Sequence, residues 1–412
     1  MKALVLCGGV PQVQLVKELK GRGIYTILAD QNEKAPAVAL ADKFYPVSTL
    51  DVDGIRDVAK KEEVDFLITV CADQMLLVVA QVSEELGLPC YIDYETAKNV
   101  SNKEFMKRIF VENDIPTSKH VVLKELDKKS IEHLEYPIIV KPVDSYSSRG
   151  VKRVSCFEEL EAAFKEAVEI SRTNTAVVEE FVEGREITVD AYIEDGKANV
   201  LCISELYKIP GNNKFVIYRS LCPAPVSNEV KALVEDTVQK IAVAFGLKNT
   251  PLLMQAITNG KDKLNVVEFC ARTGGVLKFR QIKTMTGFDV IKAVVDLTLG
   301  LKPHVEKDAP PCQLLHEFLY CNPGVLERIE GLEELVEEGI ISEFFKLKAP
   351  GAEFKEVKSS GDRLASYTVS SMDMDELVRK HQIAAKRIKA IDKDGKDIIK
   401  HDLCENIKLN LS

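Results

Sequence analysis

The stretch whose reading decides the fold is VVEFCARTGG, residues 266–275. Side chains alternate along a strand, so Glu268, Cys270 and Arg272 are expected to share one face and Val267, Phe269 and Ala271 the other. A carboxylate and a guanidinium on one face of an apolar strand, followed at once by Gly274-Gly275, suit a charged ligand. They equally suit a buried ion pair beside a turn, and only the surrounding segments separate the two readings.

Immediately upstream, LLMQAIT (252–258) reads as a strand joined to LNVVEF (264–269) by the hairpin NGKD (259–262). Further back, TAVVEEFVEGREITVDAYIEDGK (175–197) holds two strands around a short connection rich in carboxylates. With Phe181 and Val182 in it, that connection can offer backbone N–H and C=O groups to an adenine edge, and Glu186 can accept from ribose hydroxyls. YPIIVKPVDSYSSRGVKRV (136–154) reads as strand, small-residue loop, strand. Its tip carries hydroxyls, Arg149 and backbone amides, the groups that close over phosphates, although polar hairpin tips are common. Ser101-Asn-Lys-Glu104 matches a capping box ahead of an apolar helical face, with Lys103 in the first turn. That lysine is either solvated or reaching for an anion, since the helix dipole disfavours it there.

The first ninety residues alternate strand-like bursts (KALVLCGG, YTILAD, VDFLITV) with amphipathic helices, the rhythm of a parallel α/β sheet. Gly8-Gly9 lacks the third glycine of a dinucleotide fingerprint, so an anion site and a plain tight turn stand level there. After the proline-rich KPHVEKDAPPCQ (302–313) the texture becomes α+β.

With 412 residues, the chain is long enough for two to four domains. Its 55 Lys+Arg against 64 Asp+Glu give −9, which argues against nucleic-acid or membrane-surface partners. No run approaches a membrane span, and the ten cysteines show no metal or disulfide spacing. A cytoplasmic protein with reduced thiols is expected. The six histidines form no metal spacing and are expected at the surface or in the core.

A capped helix with a lysine, a strand ending in lysine, a small-residue loop with Arg-Gly, an EEFxxGxE hinge, and a strand glutamate followed by Arg and Gly-Gly occur here in one order. The chain resembles the ATP-grasp superfamily of ATP-dependent carboxylate ligases. It is most similar to the carbamoyl-phosphate-synthetase, biotin-carboxylase, purine-ligase and amino-acid-ligase branch. The resemblance implies a fold of α/β and α+β units. These are an amino-terminal Rossmann-like parallel α/β domain (1–95), a two-lobed ATP clamp (96–303, small lobe about 120–183) and a small carboxy-terminal α+β domain (304–412).

It also implies ATP and Mg²⁺, small carboxylate and amine substrates, and a homodimer. Lys103 and Lys141 would contact the phosphates, and Ser145, Ser147, Ser148, Arg149, Gly150 and Val151 would fold over them. Glu179, Glu180, Phe181 and Val182 would line the adenine site and Glu186 the ribose. Gln255 and Glu268 would bind Mg²⁺; Gln255 is glutamate in many relatives, though the LLMQ strand of carbamoyl-phosphate synthetases shares the glutamine. Arg272, with Lys141 and Glu268, would carry the phosphoryl chemistry. Gly274 and Gly275 would let the acceptor carboxylate approach. Apart from the resemblance, Arg280 in the stretch after Gly-Gly is the candidate contact for a substrate anion, against a surface or salt-bridge role.

Cys270 departs from the family's asparagine, and a soft sulfur suits Mg²⁺ poorly, so it is expected to pack as a small apolar residue. Whether one or two metal ions bind is left open. A bicarbonate-using carboxylase or carbamoyl-phosphate unit, and a nucleotide-binding module without turnover, are the alternatives.

Overall fold

The computed structural model describes residues 1–144, 150–211, 215–275 and 277–404. Four short parallel strands open the chain, in the order Lys43–Tyr45, Tyr25–Ala29, Lys2–Leu6, Phe66–Ile68. Their apolar runs are buried on both faces, as parallel strands flanked by helices require. The helix Val10–Gly21 starts at the Gly8-Gly9 turn. Gly8 gives its amide to Asp30 at 2.7 Å, and a Cβ on it would lie 2.7 Å from the Ala35 Cβ. The turn is therefore satisfied by the protein itself.

The capping expectation needs a correction. Ser101 ends the helix Tyr94–Ser101 and bonds back to the Ala97 carbonyl. The N-cap of Lys103–Glu112 is Asn102, which accepts from the amides of Glu104 and Phe105. Two helices meet end to end here, and the asparagine outcompetes the serine because the serine hydroxyl already serves the preceding turn.

A four-stranded antiparallel sheet follows, in the order His120–Leu123, Ala176–Glu180, Ile138–Pro142, Lys152–Val154, with the helix Phe157–Ile170 packed on it. The centre of the molecule is an eight-stranded antiparallel sheet. Its order is Leu264–Cys270, Thr250–Thr258, Arg185–Glu194, Lys197–Lys208, Ile217–Cys222, Gln313–Leu319, Ala365–Ser371, Glu343–Lys346. The last three strands come from beyond residue 304, so the carboxy-terminal residues extend the clamp's sheet as well as packing on it. A three-stranded sheet and the helix Met374–Arg387 complete this end.

One face of the central sheet packs under the helix Asn228–Ala244, around an aromatic group in which Phe245 and Phe269 stack edge to face at 4.6 Å. The other face packs against the helices Lys278–Thr286 and Val290–Thr298 and through them onto the amino-terminal sheet. No helix among the described residues is long and apolar enough to cross a membrane, and all ten cysteines are free thiols.

The deciding strand alternates as expected from Glu268 onward, with Phe269 and Ala271 each 1% exposed. Val267 breaks the expected pattern. Gln255 pairs with Glu268 and the next residue, Ala256, pairs with Val266, so Val267 is the extra residue of a β-bulge. The bulge lets Val266 and Phe269 both enter the core while Val267 turns to a cavity wall.

Candidate active site

Two cavities adjoin along one face of the bulged strand pair and share the residues Ile217, Gln255 and Glu268. Direct cross-strand pairing sets Gln255 beside Glu268 at this junction.

The smaller cavity, about 160 Å³, lies between the central sheet and the small sheet. Lys103, Lys141, Val151, Glu179, Glu180, Phe181, Val182 and Glu186 line it, so the expected nucleotide-site residues in the described regions converge. Ser145, Ser147, Ser148 and Arg149 lie outside the described residues. Gly150 has φ of 75°, and a Cβ there would come within 2.8 Å of Ile170 and 2.9 Å of Pro142, so only glycine fits.

Glu179 is buried and held from three sides: Lys141 at 2.5 Å, Lys107 at 2.7 Å and the Ser118 hydroxyl at 2.8 Å. Burial pushes its carboxyl up, but the two ammoniums outweigh that and hold it well below the usual carboxylate range. Its carboxylate thus fixes the lysines, and only Lys141 of the two lines the cavity. Lys107 was missed in the sequence. Its signal was the i, i+4 spacing from Lys103, which puts both on one helix face. Lys103 reaches Glu268 at 3.3 Å, and Glu186 pairs with Lys208. In the hinge, the Phe181 amide bonds the Pro137 carbonyl at 2.9 Å, and Arg153 lies 4.2 Å over the Phe181 ring.

The larger cavity, about 580 Å³, is lined by Glu268, Cys270, Arg272, Gly274 and Gly275 together with Asp73 from the amino-terminal unit. Arg272 Nε donates to Asp73 Oδ1 at 2.6 Å, its Nη2 donates to Oδ2, and its Nη1 donates to the Thr273 carbonyl at 2.8 Å. A guanidinium has five N–H groups, so donors remain for a ligand. Gly274 packs against a neighbouring pair: a Cβ there would meet Lys278 Cγ at 2.7 Å and Asp190 Oδ1 at 3.3 Å. Gly275 faces open space.

Arg280 is the correction in this group. It lines a separate cavity farther across the same face of the sheet, 2.7 Å from Glu343, and does not join Arg272. Lys278, one helical step away, lies on the other side with Ser204 at 2.8 Å and Asp190 at 3.4 Å. The cation that does enter the cavity from the carboxy-terminal residues is Arg363. It sits 3.6 Å over the Phe318 ring, bonds the Tyr320 hydroxyl at 3.0 Å, and has no carboxylate in salt-bridge range among the described residues. No local motif marked it, because it comes from a turn nearly ninety residues past the deciding strand.

Residues 134–279 match the family model of the ATP-grasp domain. That stretch, about a third of the chain, is similar to the ATP-grasp domain. Residues 4–90 match the PylC-like amino-terminal domain, and 317–391 match the L-amino acid ligase C-terminal domain 2. A formate-dependent phosphoribosylglycinamide formyltransferase from Ignicoccus hospitalis is 29% identical over 254 residues. That alignment takes in 60% of this chain and 63% of the relative, so it spans less than two thirds of the curated protein.

Among solved structures, the L-amino acid ligase from Bacillus licheniformis superposes with a TM-score of 0.80 at 21% identity, covering 95% of this chain and 98% of that one. The phosphoribosylglycinamide synthetase from Anaerococcus prevotii superposes with a TM-score of 0.76 at 21% identity, covering 95% and 99%. These likenesses show the ATP-grasp fold.

The ATP-grasp frame makes the donor set at the cavity junction testable. Gln255 and Glu268 offer oxygen, which fits Mg²⁺ completed by phosphate and water oxygens. No group of three or more His, Cys, Asp or Glu side chains among the described residues could hold a metal without such help. Burial, and then the nearby Asp73 carboxylate, push the Cys270 thiol well above its ordinary pKa, and a soft sulfur suits Mg²⁺ poorly.

Proposed function

We propose that this chain is an ATP-dependent, ADP-forming ligase that joins a small carboxylate to an amine. The observation that carries this reading is the shared wall: Gln255 and Glu268 belong to both cavities, so a nucleotide in one would present its terminal phosphate to a substrate in the other. The carboxylate oxygen attacks the γ-phosphorus, ADP leaves, and the acyl phosphate is then attacked by the amine with loss of phosphate and a proton.

Lys103 and Lys141 bind the phosphates, and Arg272, oriented by Asp73, stabilises charge on the transferring group; in-line positioning and charge neutralisation are what this chemistry demands. Mg²⁺ held by Glu268 and the Gln255 amide oxygen would supply further neutralisation of phosphate charge. Glu180, Phe181 and Val182 hold adenine and Glu186 the ribose, and Ser145, Ser147, Ser148, Arg149, Gly150 and Val151 serve the phosphates. Gly274 and Gly275 leave room for the acceptor carboxylate. Arg363 replaces Arg280 as the contact for an anionic group of the substrate. The working unit is a homodimer.

The test is ADP and phosphate release from Mg-ATP across a panel of small acids, amino acids and amines, with Glu268→Ala in parallel. Release that needs one carboxylate and one amine, and is lost in the variant, supports the reading. Release with bicarbonate alone points instead to a carboxylase-type unit.

A further inference from the structure

One row of residues runs across the strands, on a single face of the sheet, from the larger cavity to the one that holds Arg280. Ser220 pairs with His316, His316 with Thr368, and Thr368 with Glu343, each directly opposite the next on neighbouring strands. Ser220 and His316 line the larger cavity, while Thr368 and Glu343 line the cavity that holds Arg280.

His316 is 5% exposed. Its Nδ1 lies 2.9 Å from the Thr368 hydroxyl, and its Nε2 and the Ser220 hydroxyl are buried with no hydrogen-bond partner. An unpartnered buried polar atom costs about 1–3 kcal/mol, so a cavity wall that carries two is arranged for a polar occupant.

The row also decides which ring nitrogen holds the proton. Burial pushes the Glu343 carboxyl up and Arg280, 2.7 Å away, opposes that; in its ionised form the carboxylate only accepts. Thr368 lies directly opposite Glu343 on the neighbouring strand, and a hydroxyl that gives its one proton to that carboxylate keeps only its oxygen for the ring. Its oxygen must then accept from His316 Nδ1–H. Burial first, and then the Arg363 and Lys278 charges, lower the His316 pKa to about 3, so the ring is neutral at ordinary pH.

We propose that His316 is the docking point for an N–H of the attacking amine, with Glu343 acting through Thr368 as the positioning residue that keeps His316 Nε2 unprotonated toward the larger cavity. The word "amine" rests on the ligase reading; the tautomer and the presence of an open acceptor do not. Orientation is the role assigned, since an imidazole this reluctant to protonate is a poor base.

The test is a two-bond proton–nitrogen correlation spectrum of the full-length ¹⁵N-labelled protein, with His316 assigned by its loss in His316→Asn. The expected result is a neutral Nδ1–H ring whose Nε2 resonance shifts when methylammonium chloride is added. Glu343→Gln frees Thr368 to reverse, and the ring population moves toward Nε2–H. An Nε2–H ring in the unaltered protein, or an Nε2 resonance indifferent to methylammonium, overturns the proposal.

With a carboxylate and amine that support ADP release, His316→Asn, which keeps a donor for Thr368 but removes the cavity-facing acceptor, raises the amine KM about tenfold, the worth of one hydrogen bond to a charged group. The ATP KM stays unchanged, and His316→Gln, which keeps an acceptor, is milder. Equal loss in both KM values would make the role merely structural. If no pair supports release, the ligase reading fails and the spectra alone decide this one.

Discussion

Asp73 grips Arg272 by one edge of its guanidinium, with two hydrogen bonds, across 199 residues of sequence: Nε to Oδ1 at 2.6 Å and Nη2 to Oδ2. Asp73 opens the helix Asp73–Leu86 of the amino-terminal unit, and Arg272 follows the strand that carries Glu268. The pair therefore couples the placement of the amino-terminal unit to the geometry of the larger cavity. Asp73→Asn keeps the shape and removes the charge. The expected cost is about 2 kcal/mol in urea unfolding, below the 3–5 typical of a fully buried pair because the cavity reaches Asp73. A fall in ADP release should accompany it.

Glu179 neutralises two lysines at once. In Glu179→Gln, Lys107 and Lys141 are left facing each other without a carboxylate, and Lys107 is 1% exposed. A loss of about 3–5 kcal/mol is expected, with weakened ATP binding by titration calorimetry. Lys107→Met should cost less stability, since Glu179 keeps Lys141 and Ser118.

Cys270 stands where an oxygen ligand would serve. Cys270→Asn should lower the Mg²⁺ concentration needed for half-maximal ADP release at fixed ATP. The thiol itself, held protonated by burial and the Asp73 carboxylate, should resist iodoacetamide at neutral pH while the fold is intact.

Acid should destabilise the protein in two stages. Burial, ahead of neighbouring positive charge, lowers both His316 and His381 to about 3. The unfolded chain protonates these rings below about pH 6.5 and the folded one does not, so stability falls as pH drops from there toward about 3. By pH 5 the loss is about 2 kcal/mol for each ring. Glu179 has its folded pKa depressed by Lys107 and Lys141 against the opposing effect of burial. Its contribution is present above the unfolded value of about 4.3 and declines as pH falls below it. Urea midpoints from pH 7 to 3 should show this order, and His316→Asn should have the shallower first stage.

Much of this was legible in local pattern. Alternation placed Glu268, Cys270 and Arg272 on one wall, and the ATP-grasp resemblance grouped Lys103, Lys141 and the Glu180–Phe181–Val182 hinge, which line one cavity. What local pattern could not carry was decided by long-range pairing. The Val267 bulge depends on the register with Gln255 and Ala256. Arg280 and Lys278 are two residues apart, and which of them meets the cavity depends on how their helix packs on the sheet. Arg363 and His316 enter the site only because strands from the carboxy-terminal residues extend the central sheet. The capping error was local, a serine already engaged by the turn before it.

The most direct test of the central claim is isotopic. The carboxylate that supports ADP release is labelled with ¹⁸O in both oxygens, and the phosphate formed in a single round of turnover is analysed by mass spectrometry. The account requires one ¹⁸O in each phosphate, because the attacking carboxylate oxygen leaves with the phosphoryl group when the amine displaces it. Phosphate without label, or label in AMP instead, would contradict activation of the carboxylate at its γ-phosphate junction beside Glu268.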